Sequence, residues 1–330
     1  MIVRILGSAA GGGFPQWNCT CPGCRAARRS DGSARPRTQS SIAVAPGGGG
    51  GSAEWLLVNA SPDLRLQLEA LRVGGAAAEA QAPDAASPDA HDPPPIRRSP
   101  IAGVLLTDAE IDHTTGLLLL REWGAPIPLW CTATTRRALT EGFPVLPTLA
   151  GYAGVAWREL VPGASLRIEL GDGVLEIEPF ALGGDPPLYL QGDGRGLPAA
   201  SGPTDWAIGV TFRDPATGGV LTYAPGLDGL DDARLERFAA SDLLLVDGTC
   251  WRDDELGALG ISQRTAREMG HLPLSGPDGT LERLRRLSRP RKVLVHINNT
   301  NPILVEQSRE RRGVEAAGVI VGEDGMTFRC

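Results

Sequence analysis

Histidine is scarce in this chain. The 330 residues include four, with only three methionines and three tyrosines. Basic charge is also in deficit, 32 Lys and Arg against 39 Asp and Glu, for a net charge of −7. That balance argues against nucleic acid or an anionic membrane as the main partner. No apolar run approaches the roughly 20 residues that a membrane span needs. The opening Met1-Ile-Val-Arg-Ile-Leu-Gly7 has no basic segment ahead of a long apolar one, so no signal peptide is expected and the cytoplasm is the expected compartment. Six cysteines in 330 residues are too few for a disulfide scaffold. Hydrophobic residues at 42% and charged residues at 22% are ordinary for a soluble globular protein.

Against that background one stretch stands out, Leu105 to Leu120. Ile101 to Leu106 reads as a buried strand, and Gly116-Leu-Leu-Leu-Leu-Arg-Glu122 reads as the start of a buried helix. Between them Asp108, Glu110, Asp112 and His113 crowd into six residues. The end of a strand is where an α/β fold presents chemistry. Carboxylates packed side by side repel unless a cation holds them. Asp108 as a simple helix cap is the bland alternative, but the ligand density and the rarity of histidine elsewhere favour a metal site.

A second cluster is Cys19-Thr-Cys21-Pro-Gly-Cys24, inside a Cys-rich loop at 17–25. Three thiols at this spacing suit tetrahedral zinc. His296 or His271 could supply the fourth ligand, and the sequence does not decide which; the site is then closed and structural. Before this loop, Gly7-Ser-Ala-Ala-Gly-Gly-Gly13 lacks dinucleotide-binding spacing and reads as a tight turn that lets backbone approach the site.

The rest of the chain reads as strands and short helices of a single domain, 1–330. Strands are expected at Ile2–Leu6, Ser40–Val44, Trp55–Val58, Pro128–Thr132 and Ser241–Asp247, with a last buried strand at Arg291–His296. Hairpins are expected from Ser165–Leu170 with Gly173–Phe180, from Trp206–Arg213 with Gly219–Tyr223, and at the tail from Gly318 to Phe328. Helices are expected at Leu64–Leu71, Thr135–Glu141 and Thr280–Leu287. The segment 74–100, rich in Ala, Pro, Asp and Gly, reads as a disordered surface insertion, and its His91 is discounted. Pro186 to Pro203 reads as a lid.

The central motif resembles the metallo-β-lactamase superfamily, which carries His-x-His-x-Asp-His in this place. Here the pattern is Asp108-x-Glu110-x-Asp112-His113, with the first two histidines replaced. Within that superfamily, Thr107-Asp-Ala-Glu-Ile-Asp-His-Thr-Thr-Gly116 looks like the PqqB family of pyrroloquinoline quinone (PQQ) biosynthesis. Three further stretches agree: Gly7 to Cys19, Leu244-Leu-Val-Asp-Gly-Thr249, and His296-Ile-Asn-Asn-Thr-Asn-Pro-Ile-Leu304. The resemblance implies an α/β fold, the αββα sandwich.

It also implies a metal centre with one half removed. The superfamily's first metal takes a further histidine and a bridging Asp where this chain has Leu182 and Ala224. The second metal's places are filled by Asp112, His113 and His296, with His271 near the rim. Asp108 and Glu110 are then the candidates for proton transfer or substrate orientation. Asp63 is expected either to steady the metal ligands or to cap a helix. Asp247 is expected either to face the site or to cap the turn after its strand, and Asn298 and Asn299 to fringe the pocket.

Two histidines plus a carboxylate suit non-haem Fe(II), or zinc with an open position. The function implied is a metal-dependent oxygenase in PQQ biosynthesis that hydroxylates the tyrosine ring of a peptide-derived Glu-Tyr precursor. A soluble carrier of PQQ or its precursor to the periplasm and a single-zinc hydrolase are the alternatives. The partner is that small precursor or PQQ itself; a homodimer is left open.

Overall fold

A computed structural model describes residues 1–47, 54–74, 98–191 and 205–330. The insertion at 74–100, with His91, and the lid beyond Gln191 lie almost wholly outside the described residues.

Fourteen strands are described. They are β1 (Ile2–Gly7), β2 (Ser41–Ala45), β3 (Trp55–Val58), β4 (Ile101–Leu105), β5 (Ile127–Cys131), β6 (Val155–Glu159), β7 (Leu166–Leu170), β8 (Gly173–Gly183), β9 (Ala207–Arg213), β10 (Val220–Ala224), β11 (Leu243–Asp247), β12 (Arg291–Val295), β13 (Val319–Val321) and β14 (Thr327–Arg329). They build two seven-stranded sheets, in the orders β14-β1-β2-β3-β4-β5-β6 and β13-β12-β11-β10-β9-β8-β7.

The core between the sheets takes alternate residues from each. Val3, Ile5, Ile42 and Val44 face Ile177, Phe212, Tyr223 and Val293 in one buried cluster. Each such side chain withdrawn from water contributes about 1.5–3 kcal/mol before entropy is counted. The outer faces are equally apolar, which is why β11 reads Leu-Leu-Leu-Val without alternation. The helix Leu64–Gly74 and the turns after His113 cover one sheet. The helices Asp232–Ala239, Thr280–Arg285 and Arg309–Ala316 cover the other. The result is the αββα sandwich in one domain. No helix among the described residues is long and apolar enough to cross a membrane.

Strands β3 to β6 run parallel, as do β10 to β13. The carboxyl ends of both parallel sets open onto one edge of the sandwich, where loops are free to carry chemistry.

Several expectations need correction. The tail is not a hairpin: β13 joins β12 in one sheet and β14 joins β1 in the other, so the tail ties the two sheets together. Alternation shows that a segment is a strand, not which edge it will pair with. After His113 the chain forms a short 3₁₀ turn, Thr115–Leu120, with Leu117 buried and Leu119 48% exposed, so this is no buried helix. Thr135–Glu141 splits into a helix at Ala133–Arg137 and a wider turn at Ala138–Gly142. The helix Pro22–Arg29 and strand β6 lie outside the elements expected from the sequence.

Candidate metal centre

The loop after β4 is fixed from below. Asn59, in a left-handed conformation (φ 65°) at the end of β3, grips Thr107 by two side-chain hydrogen bonds, its amide donating to the Thr107 hydroxyl and its carbonyl accepting from the Thr107 N–H. The Thr107 hydroxyl donates to Asp108, 2.7 Å. Asp108 also accepts from the backbone N–H of Glu110 and lies 2.7 Å from His113 Nδ1. Its carboxylate is therefore spent on orienting His113. Burial alone would raise the Asp108 pKa; His113 and the Thr107 hydroxyl outweigh it and hold the group down to about 2.

From the other sheet come two more imidazoles. His296 follows β12 in a left-handed conformation (φ 53°), a backbone state that a non-glycine residue keeps only where its surroundings hold it. Thr249, two residues past β11, supplies the restraint. Its hydroxyl donates to Asp247, 2.6 Å, and stands 2.9 Å from His296 Nδ1, from which it accepts. Asp247 in turn lies 2.7 Å from His271 Nδ1. Thr249 escapes sequence reasoning, because a threonine after a strand carries no signature of its own.

One pattern thus covers all three histidines. Each Nδ1 has a protein acceptor: Asp108 for His113, Asp247 for His271, Thr249 for His296. That fixes the tautomer and leaves the Nε2 lone pair for a cation. His113 Nε2 is buried with no hydrogen-bond partner. Asp112 Oδ2 lies 3.6 Å from His113 Nε2 and 3.9 Å from His296 Nε2. The His113 and His296 rings meet edge to face at 5.2 Å, and His271 stacks on His296 at 5.1 Å. Asp112, His113 and His296 bring their donor atoms within 4.8 Å of one another, and so do Asp247, His271 and His296. An orphaned buried nitrogen among converging donors fits a metal ion.

Without a cation the carboxylates favour a proton on two of these imidazoles, which a bound metal ion would displace. Burial, with His271 and His113 alongside, lowers His296 to about 4, so it stays neutral. Burial opposes charge on His113, but Asp108 and Asp112 prevail and raise it to about 9. His271 moves the same way beside Asp247. Glu110 opens onto the cavity. Partial withdrawal from solvent and then the Asp108 and Asp112 carboxylates push it up to about 7.

The Gly-rich turn closes the site from the side. A Cβ on Gly11 would stand 3.2 Å from Asp112 Oδ2, close enough that the carboxylate would have to give by a few tenths of an ångström. Asp63 acts on this turn, at one remove from the histidines. Its carboxylate accepts from the Gln39 backbone and side chain, and Gln39 accepts from Gly12 N–H. Among the described residues, the Asp63 carboxylate accepts no bond from the helix it precedes and touches none of the three histidines.

The Cys19, Cys21 and Cys24 sulfurs form their own group within 4.8 Å. Burial pushes the Cys21 thiol up to about 12, while hydrogen bonds overcome burial and lower Cys19. Deprotonated together at this separation, the three sulfurs would need a cation, and the donor set suits zinc. The expectation of a histidine as fourth ligand is corrected. His271 and His296 are held by Asp247 and Thr249 in the other group, and Asn299 stands beside the sulfurs instead, its amide 3.3 Å from Cys24 Sγ. Asn298 donates to Thr300 on the cavity wall. Leu182 and Ala224 are buried and apolar. Both groups border one cavity of about 860 Å³.

Comparison with known proteins agrees with this architecture. Residues 54–297 match the model of the Beta-lactamase superfamily domain. Coenzyme PQQ synthesis protein B of Pseudomonas entomophila (strain L48) is 44% identical over the full length of both chains. That of Azoarcus sp. (strain BH72) is 44% identical over 99% of each. A crystal structure of Zn²⁺-bound PqqB from Methylobacterium extorquens superimposes with a TM-score of 0.81 at 37% identity, covering all of both chains. A diphosphatase of the PhnP family shares the fold alone, with a TM-score of 0.60 at 20% identity. The chain belongs to the coenzyme PQQ synthesis protein B family of the β-lactamase superfamily.

Proposed function

We propose that the chain acts in PQQ biosynthesis as a metal-dependent oxygenase. It holds Fe(II) with His113, His271, His296 and Asp112, and hydroxylates the tyrosine ring of a peptide-derived Glu-Tyr precursor. The observation that carries this reading is the set of three imidazoles whose Nδ1 atoms are all committed to protein acceptors, above an Asp112 with no such commitment. A histidine-and-carboxylate set with open positions suits non-haem Fe(II). A two-metal hydrolase would need further donors where the buried Leu182 and Ala224 offer none, which leaves a single-zinc hydrolase as the third reading.

Iron bound there would supply redox chemistry toward O₂ that zinc lacks. Everything else falls to the protein. Asp108, Asp247 and Thr249 hold the imidazoles in one tautomer. Leu182 and Trp206 give the cavity an apolar wall against which a phenol ring packs. Glu110, poised near neutrality, accepts or returns the phenolic proton. Hydroxylation places one oxygen atom in a ring C–H bond and reduces the other to water, so it consumes a two-electron reductant.

In this reading Cys19, Cys21 and Cys24 hold a structural zinc, which their three converging sulfurs suit. A carrier role is the second reading, favoured by the size of the cavity, which lies in the range of small-molecule sites. The test is anaerobic protein reconstituted with Fe(II), then given precursor, O₂ and ascorbate. Product heavier by one oxygen per ring, absent with zinc in place of iron, supports the oxygenase. Tight binding of PQQ with no product under any metal supports the carrier and sinks the oxygenase.

A further inference from the structure

The helix Pro22–Arg29 carries three arginines, and two are occupied. Arg28 braces the Cys loop through the carbonyls of Cys19 and Gln16, and Arg29 pairs with Asp31 at 2.9 Å. Arg25 is exposed, borders the cavity, and has no ion pair among the described residues. The segment after Ala258 repeats the contrast. Arg252 pairs with Asp254 and Arg267 with Asp253, whereas Arg264 borders the cavity and bonds only to a backbone carbonyl, that of Glu268. Among the described residues these two are the only arginine or lysine side chains on the cavity wall.

Six carboxylates share the wall, Asp108, Glu110, Asp112, Asp185, Asp228 and Glu268, but among the described residues none forms an ion pair with Arg25 or Arg264: Asp228 is paired with Arg234 at 3.1 Å and Asp108 with His113, while Asp112 and Glu110 belong to the metal loop. Two guanidiniums without an ion pair among the described residues, on separate elements at a cavity whose rim also exposes Leu188, Leu259 and Ile261, match an anion with an apolar body. Guanidinium binds carboxylate through a two-pronged hydrogen bond that an ammonium cannot reproduce.

We infer that Arg25 and Arg264 are specificity-determining residues that select an aromatic ligand carrying at least two carboxylates. This rests on the proposed role in PQQ biosynthesis but not on the oxygenase step. The probe is PQQ, an aromatic tricarboxylate, titrated without O₂ or reductant into the full-length metal-loaded protein, with PQQ trimethyl ester as the neutral comparison. Arg25→Gln and Arg264→Gln should each weaken PQQ binding by about tenfold. The ester should bind all forms alike, and zinc and iron contents should be unchanged. Arg25→Lys and Arg264→Lys should fall between wild type and Gln.

Failure of wild type to bind PQQ, Gln variants that bind PQQ as wild type does, or equal losses for PQQ and its ester would each overturn the inference. Because binding is read without turnover, a protein that hydroxylates nothing still tests it. Conversely, a working oxygenase whose Gln variants bind PQQ normally sinks the arginine assignment alone.

Discussion

Asp108 lies 2.7 Å from His113 Nδ1, in the place where hydrolytic relatives of this fold present a histidine to metal. In the proposed site this makes the residue an orienting partner: its carboxylate fixes the imidazole whose Nε2 is left for a cation. Replacing it with Asn keeps the shape but removes the charge that favours metal on Nε2. Asp108→Asn should lower metal affinity by about 10–100-fold with the fold intact. Titration against a competing chelator, with circular dichroism as the control, measures this. Unchanged affinity would return Asp108 to a direct role in the chemistry.

Metal removal should be visible in the thiols. Burial raises Cys131 to about 12 and raises Cys250 further, so both stay unreactive while the fold persists. At mildly alkaline pH an alkylating reagent should leave Cys19, Cys21 and Cys24 unlabelled in zinc-loaded protein. A chelator should open Cys19, whose thiol pKa is lowered, to the reagent, and only denaturant should expose Cys131 and Cys250. Mass spectrometry of the labelled peptides reads the order. Labelling of Cys19 without chelation would mean that no metal holds it.

Glu110 predicts a pH dependence of the metal-free protein. Its folded pKa of about 7 exceeds the ordinary 4.5. The native state therefore binds the extra proton, and that stabilisation is complete below about 4.5 and lost as pH rises through about 7. Chemical denaturation of metal-free protein across this window should show stability falling with pH. Glu110→Gln should flatten the slope. Added divalent cation should flatten it as well, by favouring the carboxylate.

Gly116 tests how tightly the metal loop is seated. A Cβ there would come 2.2 Å from Ser61 O and 2.8 Å from Ala60 O, while Gly116 N–H already donates to Ala60 O. Gly116→Ala must push the loop off the β3 end and should cost about 1–3 kcal/mol of stability. Metal affinity should drop with it, because Ala60 N–H also holds the His113 carbonyl. Denaturant midpoints and metal content of the same preparation measure both.

Much of this was legible in the sequence, for reasons that can be named. Asp112, His113 and His296 stand at strand ends in a recognisable pattern, and continuous apolar runs such as Leu243–Val246 announce strands covered on both faces. Other features were not legible. Nothing in one dimension says that Asp108 will meet Nδ1 rather than a metal, or that Thr249 will meet His296 across 47 positions. The tail's two strands had the right period, yet they separate into different sheets because register and edge are decided by partners elsewhere in the chain.

The most direct test of the central claim is elemental analysis of protein purified without air, beside its His113→Ala variant. The account predicts one zinc and one iron in the parent, with only the iron lost in the variant. Zinc alone, at the same level in both proteins, would mean that His113, His271, His296 and Asp112 hold no metal, and would contradict it.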